Sequence, residues 1–339
     1  MNTNITEAKA LAFDNITDHL QRVPEFDTRP REHKRAKIAL RNRQKFLDTA
    51  TAVILSEAAN PKGYKEANVY HYREEVDFFK IFLEDDENNS MNYSCPFPAG
   101  VEAKYQYFAE QAKVVKDGEY LEVGCGFGGK SRYIAKKYGC KITAVSISQA
   151  QIDYCKHRAK EEGLDHLITY VCCCWTDIPH NLYDAILSDE FIVHVIARLD
   201  FFEKIRTMLK VGGIFVLKGL HITRDSYDFY DRMNENNRDY VFGGVGHYPT
   251  YHSMLAIADF AGFTRDTSYS VDIAVYKQQS NKWGRKVFAN LAKLKGMNED
   301  LTRQVRIMIR TFERVWREDP NTMSVDVTTF IACKADKYG

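Results

Sequence analysis

The sequence has 339 residues, 45% hydrophobic and 27% charged, with 47 basic against 46 acidic side chains and a formal net charge of +1. That length can bury a sizeable core in one large or two modest units, and the even charge balance gives no overall pull toward nucleic acid. No apolar run reaches the length of a membrane span, the polar N-terminus does not read as a secretory signal, and the eight cysteines, lacking any C-x-x-C pair, are expected as free thiols in a reducing cytoplasm.

Residues 1–65 are expected to form a helical N-terminal extension. Within it Arg29–Lys45 is densely basic, with Glu32 as its one acid. This is either a solvated helix face or a surface suited to the acidic headgroups of a membrane. Asn60-Pro61-Lys62-Gly63 reads as a boundary. Residues 66–118 are read as lid and substrate-pocket helices: Val76–Leu83 carries aromatics at helical spacing, and Tyr93-Ser94-Cys95 lies in a loop shortly before a glycine turn.

From residue 119 to 339 the pattern is alternating strands and helices. Strand 119–123 runs into Gly124-Cys125-Gly126-Phe127-Gly128-Gly129, followed by helix 130–138, strand 141–146, helix 149–162 and strand 167–172. Strand 183–188, helix 200–210, a turn at Lys210–Gly213 and strand 214–217 come next. Insertions at about 224–249 and 276–318, the second helical and basic, flank helix 250–261 and precede a closing strand at 324–331. Such alternation predicts an α/β fold with a parallel sheet, ligands sitting at the carboxyl ends of its strands. That gathers Gly124–Gly128, Ser146–Ile147, Cys174–Trp175 and Asp189–Glu190 around one crevice. Cys172-Cys173-Cys174 alternates faces along a strand, so it cannot make one zinc site, and no metal is expected.

The glycine turn supports three readings. A dinucleotide corner requires G-x-G-x-x-G and an acid after the next strand; the final spacing differs, and Lys141–Val145 ends on Ser146. A phosphate-binding P-loop requires G-x-x-x-x-G-K-[ST], which Gly124 to Ser131 matches, with Asp189 as a magnesium ligand. The third is the E/D-x-G-x-G-x-G motif of class I S-adenosylmethionine-dependent methyltransferases, filled by Glu122, Gly124, Gly126 and Gly128.

Collinear segments over roughly 70–334 resemble the cyclopropane fatty acid synthase family, including mycolic acid cyclopropane synthases. These are His71-Tyr72, Asp77-Phe78-Phe79, Tyr93-Ser94-Cys95, Glu122–Gly129, Ser146–Gln151, Cys174-Trp175, Asp189–Phe191, Tyr240–Gly244, the Tyr276-to-Trp283 spacing and Asp326–Phe330. Helix 130–138 is also similar to the G-G-x-x-R-x-[IL]-A segment of tocopherol and sterol C-methyltransferases. The resemblance implies a class I methyltransferase Rossmann-like fold: a seven-stranded sheet with a helical N-terminal extension and helical insertions before the last strand. It implies S-adenosylmethionine bound by Tyr72, Tyr93 and Ser94 in the lid, by Glu122, Gly124, Gly126 and Gly128 in the glycine corner, and by Ser146, Ile147, Gln151, Cys174, Trp175 and Glu190 around it. It further implies alkylation of a carbon–carbon double bond through a carbocation, with an anion, bicarbonate, serving as base. That anion would be held by Cys95, Glu190, Tyr276 and a histidine; the matching position is Lys218, with His221 three residues on, and His247, in a glycine loop, is a further candidate.

The expected activity is therefore C-methylation of an alkene in a lipid acyl chain or a small isoprenoid. The alternatives are a small-molecule N-methyltransferase on the same scaffold, or a cyclopropane fatty acid synthase proper. The expected partner is a small-molecule or lipid substrate and not nucleic acid; the tyrosines and phenylalanines of the variable segments offer material for a contact between copies.

Overall fold

The structure is a computed structural model that describes residues 76–85, 90–94, 96–195, 197–223, 248–318 and 323–333. The N-terminal extension, Tyr72, Cys95, His247 and the segment Tyr240–Gly244 lie outside the described residues.

Seven strands among the described residues form one sheet: β1 Glu119–Val123, β2 Lys141–Ser146, β3 Ile168–Cys172, β4 Tyr183–Asp189, β5 Leu209–Ile222, β6 Phe263–Val271 and β7 Met323–Ala332. Their order is β3-β2-β1-β4-β5-β7-β6. The first five strands are parallel to one another, whereas β7 runs antiparallel to both β5 and β6. The sheet is thus mixed at one edge and parallel elsewhere. The helices are α1 Val76–Leu83, α2 Val101–Gln111, α3 Gly129–Tyr138, α4 Gln149–Glu161, α5 Arg198–Thr207, α6 Tyr251–Phe260, α7 Ile273–Ala289, α8 Leu291–Met297 and α9 Glu299–Glu318.

A strand covered on both faces reads as a continuous apolar run, and β1 does so from Tyr120 onward except at one place. Tyr120 packs into the core on one face, with Phe108 of α2 and Ile134 of α3; Leu121 and Val123 pack into the core on the other, with Phe201, Phe202 and Phe215. Glu122 interrupts this run at the strand's carboxyl end, and it is buried. The second core contains an aromatic cluster, Phe202, Phe215, Phe263 and Phe330, with ring centroids about 6 Å apart. Each such side chain, fully buried, contributes about 1.5–3 kcal/mol.

Three features depart from the sequence expectation. Lys210–Gly213 is part of the 14-residue strand β5 and not a separate turn. Strand β6 was not anticipated because its seven central residues are all exposed, so no alternation marks it; pairing with β7 creates it. The stretch 276–318 divides into α7, α8 and α9, with Asn298 Oδ1 accepting from Leu301 N at 2.9 Å where α9 begins.

Helix α7 packs against α9 and α1, building a cover over the sheet's carboxyl edge. Phe79 of α1 meets Phe127 of the glycine turn at 5.8 Å, and Tyr93 meets Trp283 of α7 at 5.6 Å. The cover is therefore keyed to the crevice by aromatic contacts. No helix among the described residues is long and apolar enough to cross a membrane.

Candidate active site

The chain leaves β1 outward to β2 and β3 and returns to β4, so the sheet's switch point lies between β1 and β4. Register places Val123 opposite Ser188, which brings Gly124 beside Asp189. A crevice opens there. Its wall includes Tyr93 and Ser94, Glu122, Gly124 and Gly126, Ser146, Ile147 and Gln151, Cys174 and Trp175, and Asp189 and Glu190. These are the residues the sequence gathered from distant segments.

At one end, Ser146 Oγ donates to Gln151 Oε1 at 2.7 Å while accepting from Ser148 N at 3.2 Å. Ser148 caps α4, accepting from Gln151 N at 3.3 Å. The turn after β2 therefore presents a serine–amide pair where a dinucleotide corner would present an acid. Trp175 opens a short 3₁₀ turn, with Phe201 edge-on at 5.5 Å.

In the glycine corner, Glu122 Oε1 lies 3.4 Å from Lys130 Nζ, and Oε2 is buried with no hydrogen-bond partner among the described residues. Burial raises the Glu122 carboxyl pKa, against the opposing pull of Lys130. Lys130 also sits 4.0 Å from the Phe108 ring centroid, and Ser131 Oγ bonds Gly128 O and the Tyr170 hydroxyl, both at 3.1 Å. Ser131 is buried against Gly128 and Tyr170 and does not line the crevice, and Lys130, which does line it, is paired with Glu122, so the two do not form a phosphate cradle.

Two glycines of the corner serve different ends. Gly126, at φ 52, has open space where a Cβ would stand, as a ligand-facing position requires. Gly128, at φ 69, was expected to touch the ligand but does not line the crevice. It caps α3, and a Cβ there would come 2.7 Å from Cys155 Sγ and 2.8 Å from the Tyr170 hydroxyl. Its role is to let the loop pack.

The other side of the crevice is built on buried charge. Asp189 Oδ2 lies 2.7 Å from Lys104 Nζ and accepts from Ser94 Oγ at 2.9 Å, while Asp189 Oδ1 is 3.2 Å from Lys218 Nζ. Lys218 also pairs with Glu190 Oε1, and Lys104 with Ser94 Oγ. Both lysines are fully buried. Burial alone would raise the Asp189 carboxyl pKa; the ammoniums of Lys104, Lys218 and Lys130 outweigh it and hold the group well below the carboxylate range. Glu190 has a left-handed backbone, φ 55, rare for a side-chain-bearing residue and associated with functional sites. Its N–H donates to Lys218 O at 2.8 Å, and its Oε2 accepts from the Tyr276 hydroxyl at 3.4 Å. Tyr276 is thus a partner of Glu190 and not part of the crevice wall itself.

His221 is not in the site. It lies three residues beyond Lys218 on β5, and side chains three apart on a strand point to opposite faces. Its ring is fully buried, with Nδ1 3.1 Å from Asp326 Oδ2 and Nε2 3.2 Å from Met254 Sδ of α6. His221→Gln is accordingly expected to lower stability by about 1–3 kcal/mol in urea unfolding, with activity per folded molecule unchanged.

The sequence reading missed Lys104 as a site residue. It sits on a helix of mixed polar and apolar residues where a lysine reads as surface, and only tertiary contact shows it buried against Asp189. Tyr105, Phe127, Cys173 and His194 also line the crevice without having been assigned to it.

The family model for mycolic acid cyclopropane synthetase matches residues 60–322. The chain belongs to this family. Among solved structures, the mycolic acid cyclopropane synthase CmaA1 complexed with SAH and CTAB superposes with a TM-score of 0.70 at 17% identity, covering 79% of this chain and 98% of that one. Among curated relatives, the sterol 24-C-methyltransferase of Yarrowia lipolytica is 25% identical over 224 residues, 64% of this chain and 58% of the relative. The sarcosine/dimethylglycine N-methyltransferase of Halorhodospira halochloris is 33% identical over 102 residues, 30% of this chain and 37% of the relative. The chain thus spans well under two thirds of either curated relative's length. Within the cyclopropane synthetase family's frame, the crevice at the β1/β4 switch point is the candidate active site, and the buried lysine–carboxylate group is its polar wall.

Proposed function

We propose that this protein is an S-adenosylmethionine-dependent methyltransferase that methylates a carbon–carbon double bond in a lipid acyl chain or an isoprenoid. The observation that carries this reading is a crevice with an unpartnered buried carboxylate oxygen at Glu122 and a second, fixed carboxylate at Glu190. The residues fit the cofactor. Glu122 Oε2 would accept from the ammonium of its amino-acid end, Gly126 gives the backbone room to approach, Ser146 and Gln151 suit the ribose hydroxyls, and Ile147 and Trp175 would flank the base.

When bound, S-adenosylmethionine supplies a methyl group on a cationic sulfur and needs a nucleophile in line with it. The protein's part is to orient an alkene, exclude water and tolerate the positive charge that develops on the substrate carbon. Tyr93, Tyr105, Phe127 and Phe191 give the crevice aromatic walls, whose ring faces stabilise a cation. Glu190 is positioned to take the proton that restores neutrality. The similarity to a sterol C-methyltransferase over 64% of the chain supports carbon as the acceptor. The 33% identity to an N-methyltransferase over a shorter stretch supports a second reading, methylation of a small amine, in which no carbocation forms. Ring closure to a cyclopropane would add the same mass as methylation with proton loss; Lys218 at the position of the family's histidine argues against it.

The test is incubation with methyl-labelled donor and panels of lipid alkenes, isoprenoids and amines, with products resolved by NMR. Transfer to an amine but to no alkene rejects the first reading. Binding of ATP without binding of S-adenosylhomocysteine rejects both. A sharper check is Gly126→Ala. The left-handed conformation costs a side chain about 1–2 kcal/mol, yet no protein atom blocks the new methyl. The variant is expected to fold and to lose at least about tenfold in S-adenosylhomocysteine affinity by calorimetry, some 1.4 kcal/mol.

A further inference from the structure

We infer that this protein works without bicarbonate: the Glu190 carboxylate takes the place of the anion as proton acceptor, and Lys218 is a positioning residue that fixes it there. The inference rests on the methyl-transfer reading above.

The groups that the resemblance assigns to an anion include Glu190, Tyr276 and the residue at 218. All three are described, and they are already engaged with one another. Lys218 pairs with Glu190 Oε1 and lies 3.2 Å from Asp189 Oδ1; the Tyr276 hydroxyl donates to Glu190 Oε2. The donors an anion would require are directed at a carboxylate of the protein. The charges also cancel. Lys104 and Lys218 balance Asp189 and Glu190, and Lys130 balances Glu122. No surplus positive charge is left in this group to draw a further anion into a buried site. His221, the candidate histidine among the described residues, is held on the opposite face by Asp326.

The step itself needs no added base. The C–H bond next to the cationic carbon breaks, its electron pair becomes the new carbon–carbon double bond, and the proton passes to a Glu190 oxygen. A carboxylate offers about four lone-pair sites, so Glu190 can accept from Lys218 and Tyr276 and still take the proton. Once it is neutral, Lys218 keeps Asp189 as its counter-ion, which explains why two carboxylates stand side by side. The proton returns to water as the product leaves.

The experiment has two arms. In the first, the protein saturated with S-adenosylhomocysteine is titrated with isotopically labelled bicarbonate and followed by NMR. No saturable broadening is expected; saturable broadening that Lys218→Gln abolishes overturns the inference. In the second, turnover is measured in carbon-dioxide-free buffer and is expected to be unchanged; a fall that bicarbonate restores overturns the inference and leaves methyl transfer standing. Lys218→Gln is expected to lower kcat by about 100-fold or more with KM nearly unchanged and no rescue by bicarbonate, whereas Lys218→Arg recovers most of the loss. Should Lys218→Gln not fold, the bicarbonate titration of the wild-type protein and Lys218→Arg still decide. Failure of S-adenosylhomocysteine to bind the wild-type protein overturns the cofactor reading instead.

Discussion

Glu190→Gln is expected to lower turnover by about 10²–10⁴-fold, the range spanned by loss of a positioned general base, while S-adenosylhomocysteine affinity stays nearly intact. Glutamine matches glutamate in size and can occupy the same left-handed backbone. Its carbonyl oxygen can still accept from Lys218 or from Tyr276, which otherwise meet Glu190 Oε1 and Oε2. What it lacks is the negative charge and the basic oxygen. The crevice residues proposed for the amino-acid and base ends of the cofactor, Glu122 and Trp175, stand on other segments of the chain than Glu190 and are left unchanged by the substitution. Single-turnover kinetics beside calorimetry will separate the two effects, and undiminished turnover removes Glu190 from the chemistry.

Lys104→Met is expected to have the largest effect on stability, a loss of about 3–5 kcal/mol, as when one partner of a buried pair is removed. The substitution leaves Asp189 in a buried setting with one close ammonium in place of two, and strips Ser94 of its cationic neighbour. Two pH dependences of the same sign are involved, in different pH windows. Asp189 is held below its unfolded pKa, so its stabilising contribution is fully present above the ordinary carboxylate range and is lost as pH falls through the lower folded value. Lys104 is lowered, by burial first and against the raising pull of Asp189. A lowered lysine costs stability while protonated, and that cost lifts as pH rises toward the unfolded lysine value. Removing Lys104 weakens the hold on Asp189, so the acid limb of unfolding is expected to move to higher pH. Urea unfolding across pH measures both effects. The double change with Asp189→Asn should cost less than the sum of the singles, because the two residues share one interaction.

The parts of this fold that could be read from the chain are those whose burial leaves a pattern. β1 to β4 are apolar runs ended by polar or glycine residues, and their strand ends name most of the crevice wall, from Glu122 through Ser146 and Trp175 to Glu190. Strand β6 left no pattern because its side chains face solvent, and its existence depends on β7. His221 and Lys218 could not be told apart as candidates without knowing that β5 continues through both, which sends them to opposite faces. Lys104 was illegible for a different reason: an ammonium becomes a buried residue only when a distant carboxylate, here 85 positions later, has been brought to meet it. Gly128 matched the motif by letter, while the contact that explains it, with Cys155 and Tyr170, is tertiary.

The balanced charges behind the crevice constrain how this protein can diverge. Lys104, Asp189, Lys218 and Glu190 lie on three different elements and the turn after β4, and a permanent change of charge at any one of them leaves a partner with less counter-charge in a buried setting. Divergence at this wall should therefore proceed by paired replacements, and a descendant with a neutral side chain at 218 should carry a compensating change at 189 or 190.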